Sequence, residues 1–163
     1  MHFLSAICQW LERTGVGRSV RKSLWQFPVI ETVHIFGIIL LVGATSILDL
    51  RLMGLTFRDG PVSKLAGRFI PWALAGFVIQ VVIGLLLFSS EASKMYGNLG
   101  FQIKMVLIVI AGLIALIFHS VAYKSVGKWD RDPVGPLSAH AAGLVSILLW
   151  FGIVAAGRWI AYV

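Results

Sequence analysis

Charge and cysteine are what this chain has least of. One cysteine in 163 residues, Cys8, excludes an internal disulfide and any thiolate cluster of the iron–sulfur or Cys-rich zinc kind. Only 13% of the residues are charged while 58% are hydrophobic, and the mean hydropathy is +0.90. That is too apolar for a soluble domain of this size, so an integral membrane protein is expected. A basic leading segment and an unbroken short apolar core are missing from the first residues, so they do not read as a signal peptide. The net charge of +7 does not form a nucleic-acid-binding stripe. Its basic residues crowd the ends of apolar runs, where they meet lipid head groups, and no nucleic-acid partner is expected.

What is abundant is long apolar sequence. Crossing a hydrocarbon core of about 30 Å takes roughly 20 helical residues, and four runs qualify, about 29 to 50, 69 to 90, 101 to 123 and 137 to 160. Pro71 and Trp72 mark the expected beginning of the second, and Pro133 and Pro136 precede the fourth. The connections are short and rich in Gly, Pro, Asp and Lys/Arg, so neighbouring helices are antiparallel. Ahead of the spans, residues 2 to 13 place Phe3, Leu4, Ile7, Trp10 and Leu11 at helical spacing, which suits a helix lying in the interface. The predicted fold is an all-α, integral membrane, four-helix up-down-up-down bundle. It forms a single membrane domain over 1–163, with 1–27 as the interfacial N-terminal segment. Lys and Arg divide seven to seven between the two sides, but on the side away from the termini they all sit in or beside two short loops. That distribution points to both termini outside the cytoplasm, here the periplasmic side of a bacterial inner membrane.

Three histidines, His34, His119 and His140, lie inside these runs. An ionisable ring in hydrocarbon persists only with a partner, such as a metal, a haem iron or a buried polar network. Counted from mid-span, His119 lies about 10 Å and His140 about 13 Å toward the side of the first and third loops, so they share a level. A haem b held by two imidazoles needs ligands from two helices at one depth. Gly112 and Ala115 before His119, and Gly143 after His140, would leave room for a flat porphyrin. Lys124, Lys128, Arg131 and Arg68 stand where propionates would emerge. A hydrogen-bonded structural role remains the plain alternative for any one of these rings, and small residues are common in transmembrane contacts without a cofactor.

His34 lies about 8 Å from mid-span toward the opposite side. Glu31, one turn earlier, is expected to accept its ring N–H, and Lys104 and Met105 of the third span stand at the same depth. Three readings stay open: a second haem on His34 and Met105, a quinone or proton site of Glu31, His34 and Lys104, or a structural cluster of those three. Gln80 reads as an interhelical hydrogen-bonding residue, and Asp49 with Arg51 or Arg68 as an ion pair at the end of the first span.

The segments ETVHIFGIILLVGATSILDLRLMG, QIKMVLIVIAGLIALIFHSV and HAAGLVSILLWFGIVAAGRWIAY resemble an uncharacterised bacterial family of four-span membrane proteins. More distantly they resemble the copper-resistance D family and the haem-containing membrane protoporphyrinogen oxidase family. The shared pattern is a histidine early in a span that ends in Arg-Leu (His34, then Arg51 and Leu52), and a helix that opens with Lys and closes with His (Lys104, then His119). The oxidase resemblance implies haem b and porphyrin or quinone redox chemistry, and the copper resemblance implies metal handling.

The leading expectation is a b-type cytochrome with His119 and His140 as axial ligands, exchanging electrons with quinone or a redox partner protein. The alternatives are a copper-handling protein using His34, Met105, His119 and His140, and a structural or assembly subunit, with homo-oligomer contacts on its Gly- and Ala-rich helix faces.

Overall fold

The computed structural model describes residues 2–121, 123–132 and 135–162, with the side chains of 2–5, 16, 121 and 123–125 outside that description. The chain folds as α1 (His2–Arg13), α2 (Gly15–Lys22), α3 (Gln26–Leu52), α4 (Val62–Ser90), α5 (Ala92–Gly97), α6 (Leu99–Val121) and α7 (Leu137–Trp159), with 3-10 turns at Tyr123–Lys128 and Ile160–Tyr162. Helices α3, α4, α6 and α7 are each long and apolar enough to cross a membrane, and among the described residues no strand forms. The molecule is an all-α, four-helix membrane bundle. The interfacial segment is two helices rather than one. Thr14 separates them and accepts the Gly17 N–H through its hydroxyl, capping α2.

One boundary differs markedly from the sequence expectation. Pro71 does not begin the second span but lies inside α4, which starts after Pro61. The ring removes one backbone hydrogen bond there, and the apolar residues on both sides keep the helix going. At the other end of the loop, α3 stops in a left-handed turn. Gly54 has φ 66°, the Leu55 N–H reaches the Leu50 carbonyl, and the Gly54 N–H reaches that of Arg51. This is the glycine-terminated cap that satisfies the last carbonyls of a helix.

The spatial order of the spans is α4–α3–α7–α6. The closest approaches occur at glycines. A Cβ at Gly76 would lie 2.6 Å from the Leu41 backbone N, one at Gly37 would lie 2.7 Å from Ile79, and one at Gly143 would lie 2.7 Å from the Asp49 carbonyl oxygen. Without a lipid-excluding driving force between helices, such close backbone contact is the main source of association. A Cβ at Gly112, in contrast, meets nothing within 4 Å. Gly76→Ala should therefore cost about 2 kcal/mol, while Gly112→Ala should leave stability unchanged or raise it by a few tenths, because alanine is the better helix former. Thermal unfolding of both variants in detergent checks this, and equal effects would contradict it.

On the side away from the termini the two interhelical loops are stapled together. Arg51 is only 1% exposed, and its guanidinium donates to the carbonyls of Gly60 at 3.0 Å and Asp132 at 3.2 Å. Beside it, Asp130 accepts the Ser63 N–H and the Ser63 hydroxyl, both at 2.7 Å. A carboxylate from the α6–α7 loop thus caps the N-terminus of α4, where a negative charge is favoured. Leu52, Val62, Trp129 and Ala139 form a small core beneath.

The Asp130 carboxyl is held below the ordinary carboxylate range, chiefly by the Ser63 N–H, with the Ser63 hydroxyl and the charges of Arg131 and Arg51 assisting. A folded-state value below the unfolded one stabilises above the ordinary Asp range near pH 4, and that contribution is lost as pH falls through the folded value. Acid denaturation should therefore begin below about pH 4. Asp130→Asn should lower stability by about 1 kcal/mol at neutral pH and flatten the acid limb, as followed by helical circular dichroism against pH. An unchanged acid limb would contradict the cap.

Candidate functional site

The polar groups inside the bundle fall into two places. Toward the loops, Asp49 of α3 accepts a hydrogen bond from the Ser146 hydroxyl of α7 at 2.7 Å. Toward the termini, His34 of α3 meets Gln80 and Gly84 of α4, and Lys104 of α6 lies along Gly157 of α7.

The second place has the chemistry of a site. Gln80 donates its amide N–H to the His34 carbonyl at 2.6 Å. It can reach that far because Gly37, one turn along α3, has no side chain: a Cβ there would stand 2.8 Å from Gln80 Nε2. The expected role of Gln80 as an interhelical hydrogen-bonding residue therefore holds. The His34 ring lies against Gly84, where a Cβ would be 3.7 Å from its Cε1. Its Nδ1 is buried and has no hydrogen-bond partner. Lys104 turns inward along Gly157, where a Cβ would be 3.6 Å from Nζ. Among the described residues the one ion pair found, Lys94 with Glu91, does not involve it.

Two expectations for this place need correction. Glu31 is exposed and does not satisfy His34, whose Nδ1 has no partner. Met105 is also exposed on α6, because the residue that turns inward is its neighbour Lys104, and adjacent helical residues diverge by about 100°. The structure thus sets His34 against Gly84 of α4 and Lys104 against Gly157 of α7, with Glu31 and Met105 exposed.

His119 and His140 stand differently from the expectation. On α7 the positions that meet α6 include Gly152, against Leu107, and Gly157, against Lys104. His140, at the start of α7, is half-buried. Its Nδ1 is 3.2 Å from the Pro136 carbonyl of its own first turn. His119 is exposed on α6, as are Gly112 and Ala115. The His140 ring is thus met by its own first turn, and His119 lies at an exposed position of α6. Gly143, read as part of a porphyrin slot, instead seats the Asp49 backbone of α3. Arg68, Lys128 and Arg131 are exposed, and the Lys124 side chain lies outside the described residues.

Asp49 and Arg51 do not form the expected ion pair, nor does Arg68 join either. The acid bonds to Ser146 and the guanidinium to loop carbonyls. The Arg51 staple was not foreseen. Its sequence signal is an arginine at the mouth of an apolar helix beside the short, Asp-rich turn at Asp130 and Asp132.

The donor set tells which groups could be held at His34. Among the described residues the His34 Nδ1 has no hydrogen-bond partner and Lys104 is in no ion pair, so an imidazole that could ligate a metal and a cation that could meet a carboxylate are on offer. A copper ion needs several soft or borderline donors together, and among the described residues no group of three or more His, Cys, Asp or Glu gathers at one place.

The fold defines an all-α, four-span membrane protein with polar side chains inside its bundle. The chain belongs to DUF6644, a family of unknown function, whose profile matches residues 10–163. No curated protein and no solved structure matches it.

Proposed function

We propose that this chain is a b-type haem protein of the membrane that carries single electrons, with the haem held at His34 rather than bridged between His119 and His140. The observation that carries this reading is the buried Nδ1 of His34, which has no hydrogen-bond partner among the described residues; Lys104, also toward the termini, is in no ion pair found among them. A ring nitrogen left without a partner away from water costs about 1–3 kcal/mol, and an unpaired lysine in hydrocarbon costs at least as much. A ligand with an iron centre and a carboxylate offsets both.

In this reading His34 holds the iron through a ring nitrogen. Gln80 pins the α3 backbone at His34, and Lys104 answers a propionate at the edge of the bundle. Gly84 lies against the His34 ring and Gly157 against the Lys104 side chain. The haem itself supplies a reversible one-electron iron couple. The spans around His34 keep bulk water from the ring, and quinone dissolved in the bilayer, or a redox partner protein at its surface, is the electron-exchange partner.

The test is the absorption spectrum of the purified protein. A Soret band with paired b-type bands on reduction is expected, lost in His34→Ala and retained in His119→Ala and in His140→Ala. Retention of the spectrum in His34→Ala would overturn the assignment.

A further inference from the structure

A cavity of about 330 Å³ opens where the α2–α3 hinge meets the end of α4, lined by Arg21, Ser23, Leu24, Phe27, Ser90 and Glu91. It stands at the start of α3 and the end of α4, the boundary where hydrocarbon gives way to head groups. Its surroundings are sorted by chemistry. Helix α2 buries Gly17 and Val20, with Gly17 against the Ser89 carbonyl, and so presents Arg18, Arg21 and Lys22 outward. The next two residues, Leu24 and Trp25, are 89% and 83% exposed, an apolar pair with no protein cover at the interface. The acid in the lining, Glu91, is already paired with Lys94 at 3.6 Å, which leaves the cavity rim with a cationic excess.

We infer that this cavity is a binding site for the phosphate head group of an anionic phospholipid, with Arg21 and Lys22 at the phosphate and Leu24 and Trp25 against the acyl chains. Charge of this density beside exposed apolar side chains, at head-group level, matches a molecule that is anionic at one end and apolar at the other. A zwitterionic lipid offers the same chains without the net charge. A free phosphate offers the charge without the chains.

Native mass spectrometry of the full-length protein, titrated in detergent with phosphatidylglycerol or with phosphatidylcholine of the same acyl chains, separates these sources. Phosphatidylglycerol should bind at least tenfold more tightly. Each cation removed should cost about fivefold, so R21Q/K22Q should lose about twenty-five-fold. K128Q/R131Q, on the opposite side of the molecule, should bind as wild type does. Inorganic phosphate alone should bind far more weakly than the lipid. Equal affinity for the two lipids, unchanged binding in R21Q/K22Q, an equal loss in K128Q/R131Q, or phosphate binding as tightly as lipid would each overturn the site. Both lysine and arginine positions are exposed, so both double variants keep their folds.

Discussion

Arg51→Ala is expected to cost about 3 kcal/mol, roughly a 150-fold fall in the folded-to-unfolded ratio. The guanidinium is 1% exposed and is the shared donor to two loops, Gly60 before α4 and Asp132 before α7. Truncation leaves both carbonyls without this donor and opens a void beneath them, and an unmet buried polar group costs more than the net value of the bond it made. Arg51→Lys should recover part of this, because both bonds leave the one terminal nitrogen, Nη2, and a lysine ammonium also carries several donors on one nitrogen. The effect should reach beyond the loop. Asp130 caps α4 from the same strand of chain that Arg51 holds, so α4 should fray at Val62 and Ser63 in the variant. Thermal unfolding of Arg51→Ala and Arg51→Lys, with hydrogen exchange at Val62–Leu65, checks both halves. A variant within 0.5 kcal/mol of wild type would show that the staple is incidental.

The four spans were legible because a run of twenty apolar residues has few folded alternatives. Antiparallel order followed from the short loops. Depth was legible too, since rise per residue is fixed. Azimuth was not. Whether His119 and His140 face each other depends on which helices flank α7. In space α7 sits between α3 and α6, a neighbour relation that chain order does not specify. The face holding Gly143 went to α3 through Asp49. The same cause misplaced Glu31. It lies one turn from His34 along α3, but the interior begins just past it, so Glu31 remains exposed while His34 turns in.

The pairing of His34 with Lys104 was legible as shared depth alone. The structure adds that Lys104 lies along α7 at Gly157. Pro71 misled for a different reason. Proline is a frequent helix starter, yet within a span the apolar surroundings penalise any exposed backbone more heavily than the lost hydrogen bond, and α4 continues through it. Arg51 and Asp130 were the least legible. Their partners are backbone groups far along the chain, and such pairings leave no spacing to read.

His34→Ala should abolish haem binding outright, a loss of tenfold or more in retained haem per protein at equal loading. The ring is the one histidine of the three that is turned into the bundle with a buried nitrogen lacking a partner. His34→Ala also relieves that unsatisfied nitrogen, so its thermal stability without haem should match or exceed wild type. A histidine needed only for packing would instead lower it by the usual 1–3 kcal/mol. Lys104→Met should retain haem at reduced affinity, about tenfold weaker, since it removes one charge-assisted contact and leaves the axial ligand in place.

The most direct measurement is the reduced-minus-oxidised absorption spectrum of wild-type, His34→Ala and His119→Ala/His140→Ala proteins, purified alongside one another and supplied with haem. The account predicts paired b-type bands in wild type and in the double variant, and none in His34→Ala. Bands that persist in His34→Ala and vanish in the double variant would contradict it, as would a wild type that takes up no haem at all.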